Sequence, residues 1–245
     1  MRDFEREFTR RTAFIRNLVE SSHAAGIVYG NSGGKDCTLV GILCKAACDN
    51  TVGLLLPCAS KQNYGSDADD ARAAAAQFGI ETRVVDLTAT RAALLEALGG
   101  AVALTDAATA NLAPRLRMTA LYAVAGSENR LVAGTGNRSE RYTGYFTKWG
   151  DGACDFNPIA DLTATEVFAF LEYLHAPESI IRKAPSAGLF EGQTDEKEMG
   201  VTYRSIDAYL AGEAVPEADR AVIERLHGRS LHKLNPVPLY SADPE

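Results

Sequence analysis

The feature that most constrains this chain is the junction between an apolar run, Ala25 to Tyr29, and the turn Gly30-Asn31-Ser32-Gly33-Gly34-Lys35-Asp36-Cys37. Five apolar or small residues closed by glycines read as a buried strand. The segment after the turn, Thr38 to Ala47, is apolar at helical spacing. A strand that feeds a helix through adjacent glycines exposes several backbone N–H groups at the helix start, where the helix dipole adds about half a positive charge. Such a turn is built to hold an anion, and phosphate in particular. Asp36 would repel a bare phosphate and fits if a divalent cation bridges the two. Two common phosphate loops do not match. A Walker A alignment on Gly34-Lys35 puts Tyr29 at the first glycine and Asp36 at the Ser/Thr, and no Gly-x-Gly-x-x-Gly is present.

The pattern repeats along the chain. Val52–Leu56, Thr82–Leu87 and Leu131–Ala133 read as further strands. Helices are expected over 3–20, 66–78, 91–98, 111–125, 163–174, 203–210 and 217–227. Gly79 and Gly99 stand where helix stops belong, and Thr163 with Glu166 forms a capping box. Strands alternating with helices predict one α/β domain over residues 1–245, a doubly wound parallel sheet with helices on both faces. Ligands in such sheets bind at the carboxyl ends of strands, where the turns at 30–37 and 134–137 both fall. Residues 137–162 and 184–200 lack a period, which in a compact domain marks function. The stretches 58–66 and 184–200 are candidate lids.

Charge narrows the partners. The net charge of −7 makes the chain a poor general binder of nucleic acid or of an anionic membrane. No apolar run nears the roughly 20 residues of a membrane span. Five cysteines without Cys-x-x-Cys spacing suit a reducing, cytoplasmic setting. Cys37, Cys44 and Cys48 share a helix face and are expected to serve as small core hydrophobes.

Ser32-Gly33-Gly34-Lys35-Asp36-Cys37 resembles the Ser-Gly-Gly-x-Asp-Ser loop of the ATP pyrophosphatases, with the adenine nucleotide alpha hydrolase-like fold. Four later segments are similar to the NAD synthetases within that group. They are Asn111 to Tyr122; Gly134 to Glu140 with Gly144 to Gly152; Lys183 to Ala187 with Gly192 to Glu196; and His232-Lys233. The resemblance runs from about residue 25 to 236.

It implies a ligase that adenylates the carboxylate of deamido-NAD with ATP and lets ammonia displace AMP. By resemblance Gly30, Asn31, Ser32, Gly33, Gly34, Lys35, Asp36, Cys37, Thr135 and Ser186 bind ATP. Asp36 and Glu140 ligate Mg2+ and, with Lys148, carry catalysis. Arg115, Lys148, Asp155, His232 and Lys233 bind deamido-NAD, with Tyr145 and Phe146 able to pack on the pyridine ring and Asp151 as an accessory. Glutamine-dependent relatives carry an additional amidohydrolase domain before the ATP-binding half; the first strand near residue 25 leaves no room for one, so free ammonia is the expected donor. The family's homodimer gives the amphipathic N-terminal helix a second possible use, beside an ordinary core-facing one. A tRNA-thiolating relative would want a basic surface and paired cysteines, and this chain has neither.

Two departures from the family stand out. Cys37 replaces the last serine of the loop. Leu162-Thr163-Ala164 replaces Leu-x-Lys, so a lysine aimed at the phosphates is gone. Lys35, at the loop's variable position, is expected to substitute for it in part.

Overall fold

The computed structural model describes residues 2–58, 65–183 and 194–240. In chain order the elements are α1 (Phe4–Ser21), β1 (Gly26–Gly30), α2 (Lys35–Ala47), β2 (Thr51–Leu55), α3 (Ser66–Gln77), β3 (Glu81–Val84), α4 (Thr88–Gly99), α5 (Asp106–Ala110), α6 (Leu112–Glu128) and β4 (Arg130–Ala133). They continue with α7 (Arg138–Thr143), α8 (Ala164–Tyr173), α9 (Glu178–Ile181), α10 (Asp195–Met199), α11 (Tyr203–Leu210) and α12 (Glu217–Leu234).

The expected parallel sheet is present. Its strand order is β3-β2-β1-β4, with every pair parallel. Phe156 adds a single parallel bridge beyond β4, to Ala133. The chain winds outward from β1 through β2 to β3, then crosses back to place β4 on the other side of β1. The turns after β1 and β4 therefore part in opposite directions and leave a crevice between them.

Alternation along β1 explains why that strand is apolar throughout. Ile27 and Tyr29 enter one core, beside Ile15 of α1, Leu39 and Leu43 of α2, and Phe170 of α8. Val28 enters the other, with Val52, Leu54, Val132 and the α6 residues Ala113 and Ala125. A central parallel strand buried on both faces has no polar side to show.

Helix α1 starts on Asp3, whose side chain accepts from Arg6 N. Its apolar residues Phe4, Phe8 and Leu18 pack on the first core, and the Phe4 ring stacks on Phe170 at 4.9 Å. Arg11 ties it to the 158–161 turn, donating to Asp161 at 2.6 Å and to Pro158 O, and pairs with Glu7 one turn back in the same helix at 2.6 Å. Its apolar face is thus a core face within the protomer. Cys37 and Cys44 are buried, as expected of small core residues, and Cys48 is half-buried. No helix among the described residues is long and apolar enough to cross a membrane.

The differences from sequence expectation lie in short helices. α5, α7, α9 and α10 have six residues or fewer, too short for a periodic signal. α12 runs through Gly228 to Leu234, where sequence suggested an end at 227. The extension is held by tertiary contacts: Ser230 Oγ donates to Thr143 O at 3.1 Å, and Lys233 donates to two carbonyls of the 144–146 turn.

Candidate active site

The phosphate-type loop is shaped by one residue above all. Gly33 has φ +73°, and a Cβ there would lie 2.2 Å from Asp67 O of α3. Both the backbone angle and the space require glycine. Asn31 fixes the rest: its N donates to Leu54 O at 2.8 Å, its amide donates to Ala71 O at 3.2 Å, and its Oδ1 accepts from Gly33 N at 3.3 Å. Gly34 is the N-cap of α2 and offers no side chain to it. The first N–H groups of a 13-residue helix are thus left for a ligand to satisfy. Cys37 packs its thiol against Gly34 O at 3.2 Å and Ser32 Oγ at 3.3 Å. Burial pushes that thiol up, so it fills the serine's place as a neutral group.

The turn after β4 delivers the second half. Asn137 caps α7 in a capping box with Glu140: Glu140 N donates to Asn137 Oδ1 at 3.0 Å, and Asn137 N donates to Glu140 Oε2 at 3.1 Å. The same Asn137 amide donates to Asp36 Oδ1 at 3.0 Å. One fully buried asparagine therefore sets both carboxylates, from two strand ends, side by side. Each has one oxygen spent on this scaffold. The others, Asp36 Oδ2 and Glu140 Oε1, turn to Lys35 Nζ, which contacts the first closely and stands 3.4 Å from the second. Tyr203 OH donates to Asp195 Oδ2 at 2.9 Å and lies 3.4 Å from Glu140 Oε1.

Burial and the charge of Asp36 push the Glu140 carboxyl up, while the Lys35 ammonium and the Asn137 backbone N–H pull it down. For Lys35 burial works against the charge, but Asp36 and Glu140 outweigh it and the ammonium is held protonated. Among the described residues no three His, Cys, Asp or Glu side chains converge as a metal cage. Two carboxylates with one oxygen each directed at a common cation suit a hard ion that takes its remaining ligands from phosphate and water, as magnesium does.

A cavity of about 470 Å³ opens on these groups. Of the residues assigned to ATP, Gly30, Asn31, Ser32, Gly34, Lys35, Asp36, Cys37 and Thr135 line it, and Gly33 lies behind the wall against α3. Ser186, with Ala187 and most of both expected lids, falls outside the described residues. Of the residues assigned to deamido-NAD, Lys233 lines the cavity together with Tyr145, Phe146 and the accessory Asp151, whereas Arg115, Lys148, Asp155 and His232 do not line it. Lys233 donates to Gly144 O and Phe146 O, both at 2.7 Å. Gly144, at φ +67° under Ser230, lets the chain turn there.

Arg115, Lys148 and His232 form a chain beside the cavity. Arg115 Nη2 reaches Lys148 O at 3.4 Å, and Lys148 Nζ donates to His232 O at 2.6 Å. Asp155 stands apart from them. It accepts from Val132 N at 2.7 Å and from Tyr122 OH at 3.1 Å, and so joins its loop to β4 and α6.

Four groups in or behind this cavity were given no role from the sequence: Arg117, Asn137 and Asp195, which lie within the family-like segments, and Tyr203, which lies outside them. Arg117 donates to Leu56 O at 2.9 Å, and its burial lowers the guanidinium from its ordinary value. Asn137 was visible as a capping box with Glu140. Asp195 sits in the Gly192 to Glu196 segment but carried no role of its own there; Tyr203 had no local signal, because Glu140 is 63 residues away in the chain. Ala164 is fully buried in one cluster with Tyr203, Met199 and Ile206. Lys35 Nζ lies 5.3 Å from the Tyr203 ring.

Comparison with known proteins agrees with this geometry. The family model for NAD synthase matches residues 7–235. An NH(3)-dependent NAD(+) synthetase from Alkaliphilus metalliredigens is 45% identical over 239 residues, covering 94% of this chain and 96% of that one. Among solved structures, an NMN synthetase from Francisella tularensis superposes with a TM-score of 0.93 at 35% identity, over 99% of this chain and 100% of that one. An NH3-dependent NAD synthetase from Campylobacter jejuni, in complex with nitrate, gives 0.80 at 29% identity over 98% and 100%.

Proposed function

Because the chain belongs to the NAD synthase family, we propose that it is an ammonia-dependent ligase converting deamido-NAD, ATP and ammonia to NAD, AMP and pyrophosphate, the last step of NAD biosynthesis. The observation that carries this reading is the pairing of Asp36 and Glu140 at the open N-terminus of α2. That arrangement suits polyphosphate with a divalent cation and no covalent intermediate on the protein.

In the first step a nicotinate carboxylate oxygen attacks the α-phosphorus of ATP, the bond to the β-phosphate oxygen breaks, and pyrophosphate leaves. In the second step ammonia attacks the carbonyl carbon, AMP leaves with the bonding pair, and the nitrogen loses a proton. The α2 N–H groups and Lys35 draw charge from the phosphates as the first bond breaks. Asp36 Oδ2 and Glu140 Oε1 would hold Mg2+, which supplies charge neutralisation on the departing pyrophosphate. Lys233, beside the Phe146 ring at 5.2 Å, with Arg115, Lys148, Asp155 and His232, would position the deamido dinucleotide.

We further propose a homodimer. α4 and α5 have no buried residue, and Leu94, Leu95 and Leu98 of α4 with Leu112 and Leu116 of α6 remain half-buried. This face, rather than α1, is the surface a second copy would cover; sedimentation of Leu95→Glu as a monomer would support it. A cytoplasmic location belongs to the same reading, since all five cysteines are unpaired.

A second reading concerns only the size of the substrate. The Francisella neighbour, named for NMN synthesis, superposes more closely than the Campylobacter NAD synthetase. One experiment decides both. Purified protein with ATP and Mg2+ is given deamido-NAD or nicotinate mononucleotide, and ammonium or glutamine, and amide product and AMP are quantified. Equal NAD and AMP with ammonium alone supports the first reading. A preference for the mononucleotide in kcat/KM supports the second. Failure with both acids sinks the ligase reading.

A further inference from the structure

Lys35 is an unusual neighbour for two metal-type carboxylates. Its side chain is only 5% exposed. Its Nζ touches Asp36 Oδ2, lies 3.4 Å from Glu140 Oε1, and stands 5.3 Å and 5.8 Å from the Tyr203 and Phe168 rings. These are the two oxygens that the capping scaffold leaves over. A divalent cation bound by Asp36 and Glu140 would need the same two. An ammonium and a divalent ion cannot both take them, because in a buried site their repulsion is screened little.

We propose that Lys35 is a built-in counter-cation: it holds Asp36 and Glu140 together in the metal-free protein and is displaced when a divalent cation enters with a nucleotide. The proposal rests on the reading that these carboxylates hold the metal. A metal arriving alone would strip Lys35 of both carboxylates and leave a buried ammonium with two aromatic rings and the more distant charge of Asp195, a poorer environment than the one it loses. A metal arriving with polyphosphate supplies new acceptors at the start of α2, the turn that carries Lys35 itself. Metal and nucleotide then bind as a coupled pair, each raising the affinity of the other. Lys35 acts as a positioning residue toward the metal and as a phosphate partner once released.

The test is a Mn2+ titration of the full chain, read by the spin-resonance signal of free Mn2+, for wild type and Lys35→Gln. It is run with and without α,β-methylene-ATP, which cannot be cleaved at the reacting bond. Lys35→Gln is expected to bind Mn2+ alone at least about tenfold more tightly than wild type, since the competing charge is gone. The nucleotide should then strengthen Mn2+ binding less in the variant than in wild type. Equal or weaker Mn2+ binding by the variant would overturn the proposal.

If Lys35→Gln does not fold, the wild-type Lys35 ammonium resonance in 15N-labelled protein gives the same answer. It should persist with Mg2+ alone and shift or vanish with Mg2+ plus the analogue; an unmoved signal in that mixture counts against displacement. Wild type that takes up no Mn2+ beyond what the analogue itself binds would remove the metal reading, and the lysine proposal with it. Normal Mn2+ uptake with the analogue, but no gain in Lys35→Gln alone, would remove only the lysine proposal.

Discussion

Arg11 and Lys35 are both buried cations flanked by two carboxylates, Glu7 and Asp161 for the first, Asp36 and Glu140 for the second. Arg11 uses a planar fork. Two of its nitrogens reach both oxygens of Asp161, at 2.6 and 2.9 Å, while a third contact goes to Glu7 and a fourth to the Pro158 carbonyl. Those partners lie on the helix start and the 158–161 turn and do not line the nucleotide-type cavity, so the set has one stable arrangement. Lys35 is a point charge on a flexible stem. It meets one oxygen of each acid, and those oxygens open on the nucleotide-type cavity. The lesson is that charge count does not separate a structural ion pair from a functional one. Donor geometry and what lies on the open side of the pair do.

The comparison breaks most visibly in catalysis. Asp36→Asn or Glu140→Gln is expected to lower kcat/KM at least about 10³-fold, since each removes charge stabilisation confined to the transition state. Arg11→Met should leave kcat/KM within about twofold in folded protein. Steady-state AMP formation measures both. Stability should respond the other way. Arg11→Met strands the Pro158 carbonyl, leaves Asp161 with Arg2 at 2.9 Å as its remaining cation, and is expected to cost about 1–3 kcal/mol by urea unfolding. Asp161 is 57% exposed, which keeps the figure toward the low end by solvent screening.

A third cation sharpens the contrast. Lys183 bridges Asp67 at 2.6 Å and Asp70 at 2.7 Å, is 24% exposed, and lines the cavity. Lys183→Met should fall between the other two: a KM for ATP raised about threefold and stability lowered by about 1 kcal/mol or less. Smallest is a pH effect on the Arg11 side. Burial opposes ionisation of Asp161, but its hydrogen bonds and charge contact with Arg11 outweigh burial and hold its carboxyl below the ordinary range. That contribution is present above the unfolded pKa near 4 and disappears as pH falls through the lower folded value. The acid loss of stability should therefore be shallower in Asp161→Asn than in wild type, by urea midpoints between about pH 5 and pH 2.

Much of the frame was legible because it rests on local chemistry. The glycines at 33 and 34, the β1 run and the helix after it specify a strand, a turn and an open helix start from neighbouring residues alone. The Asn137 and Glu140 pair carried a capping signal of the same kind as Thr163 and Glu166, but inside a helix too short to show a period. What sequence could not supply was convergence. Tyr203 reaches Glu140 from 63 residues along the chain and brings Asp195 with it, and nothing beside Tyr203 in the sequence marks that contact. Asp155 was grouped with Arg115, Lys148 and His232, and its anchoring to β4 and α6 is likewise a contact that only the fold supplies. The missing lysine at 164 becomes intelligible only in three dimensions. Ala164 is packed in the cluster that holds Tyr203, while a lysine from the first turn already occupies the space beside that ring.

The central claim is that Asp36 and Glu140 serve a cleavage of ATP between its α and β phosphates that ends in an amide. The most direct measurement is a product balance on wild type and Glu140→Gln with deamido-NAD, ATP, Mg2+ and ammonium. The account predicts NAD and AMP in equal amounts from wild type, and neither from a Glu140→Gln protein that is still folded. ADP in place of AMP, or a Glu140→Gln protein that turns over at the wild-type rate, would contradict it.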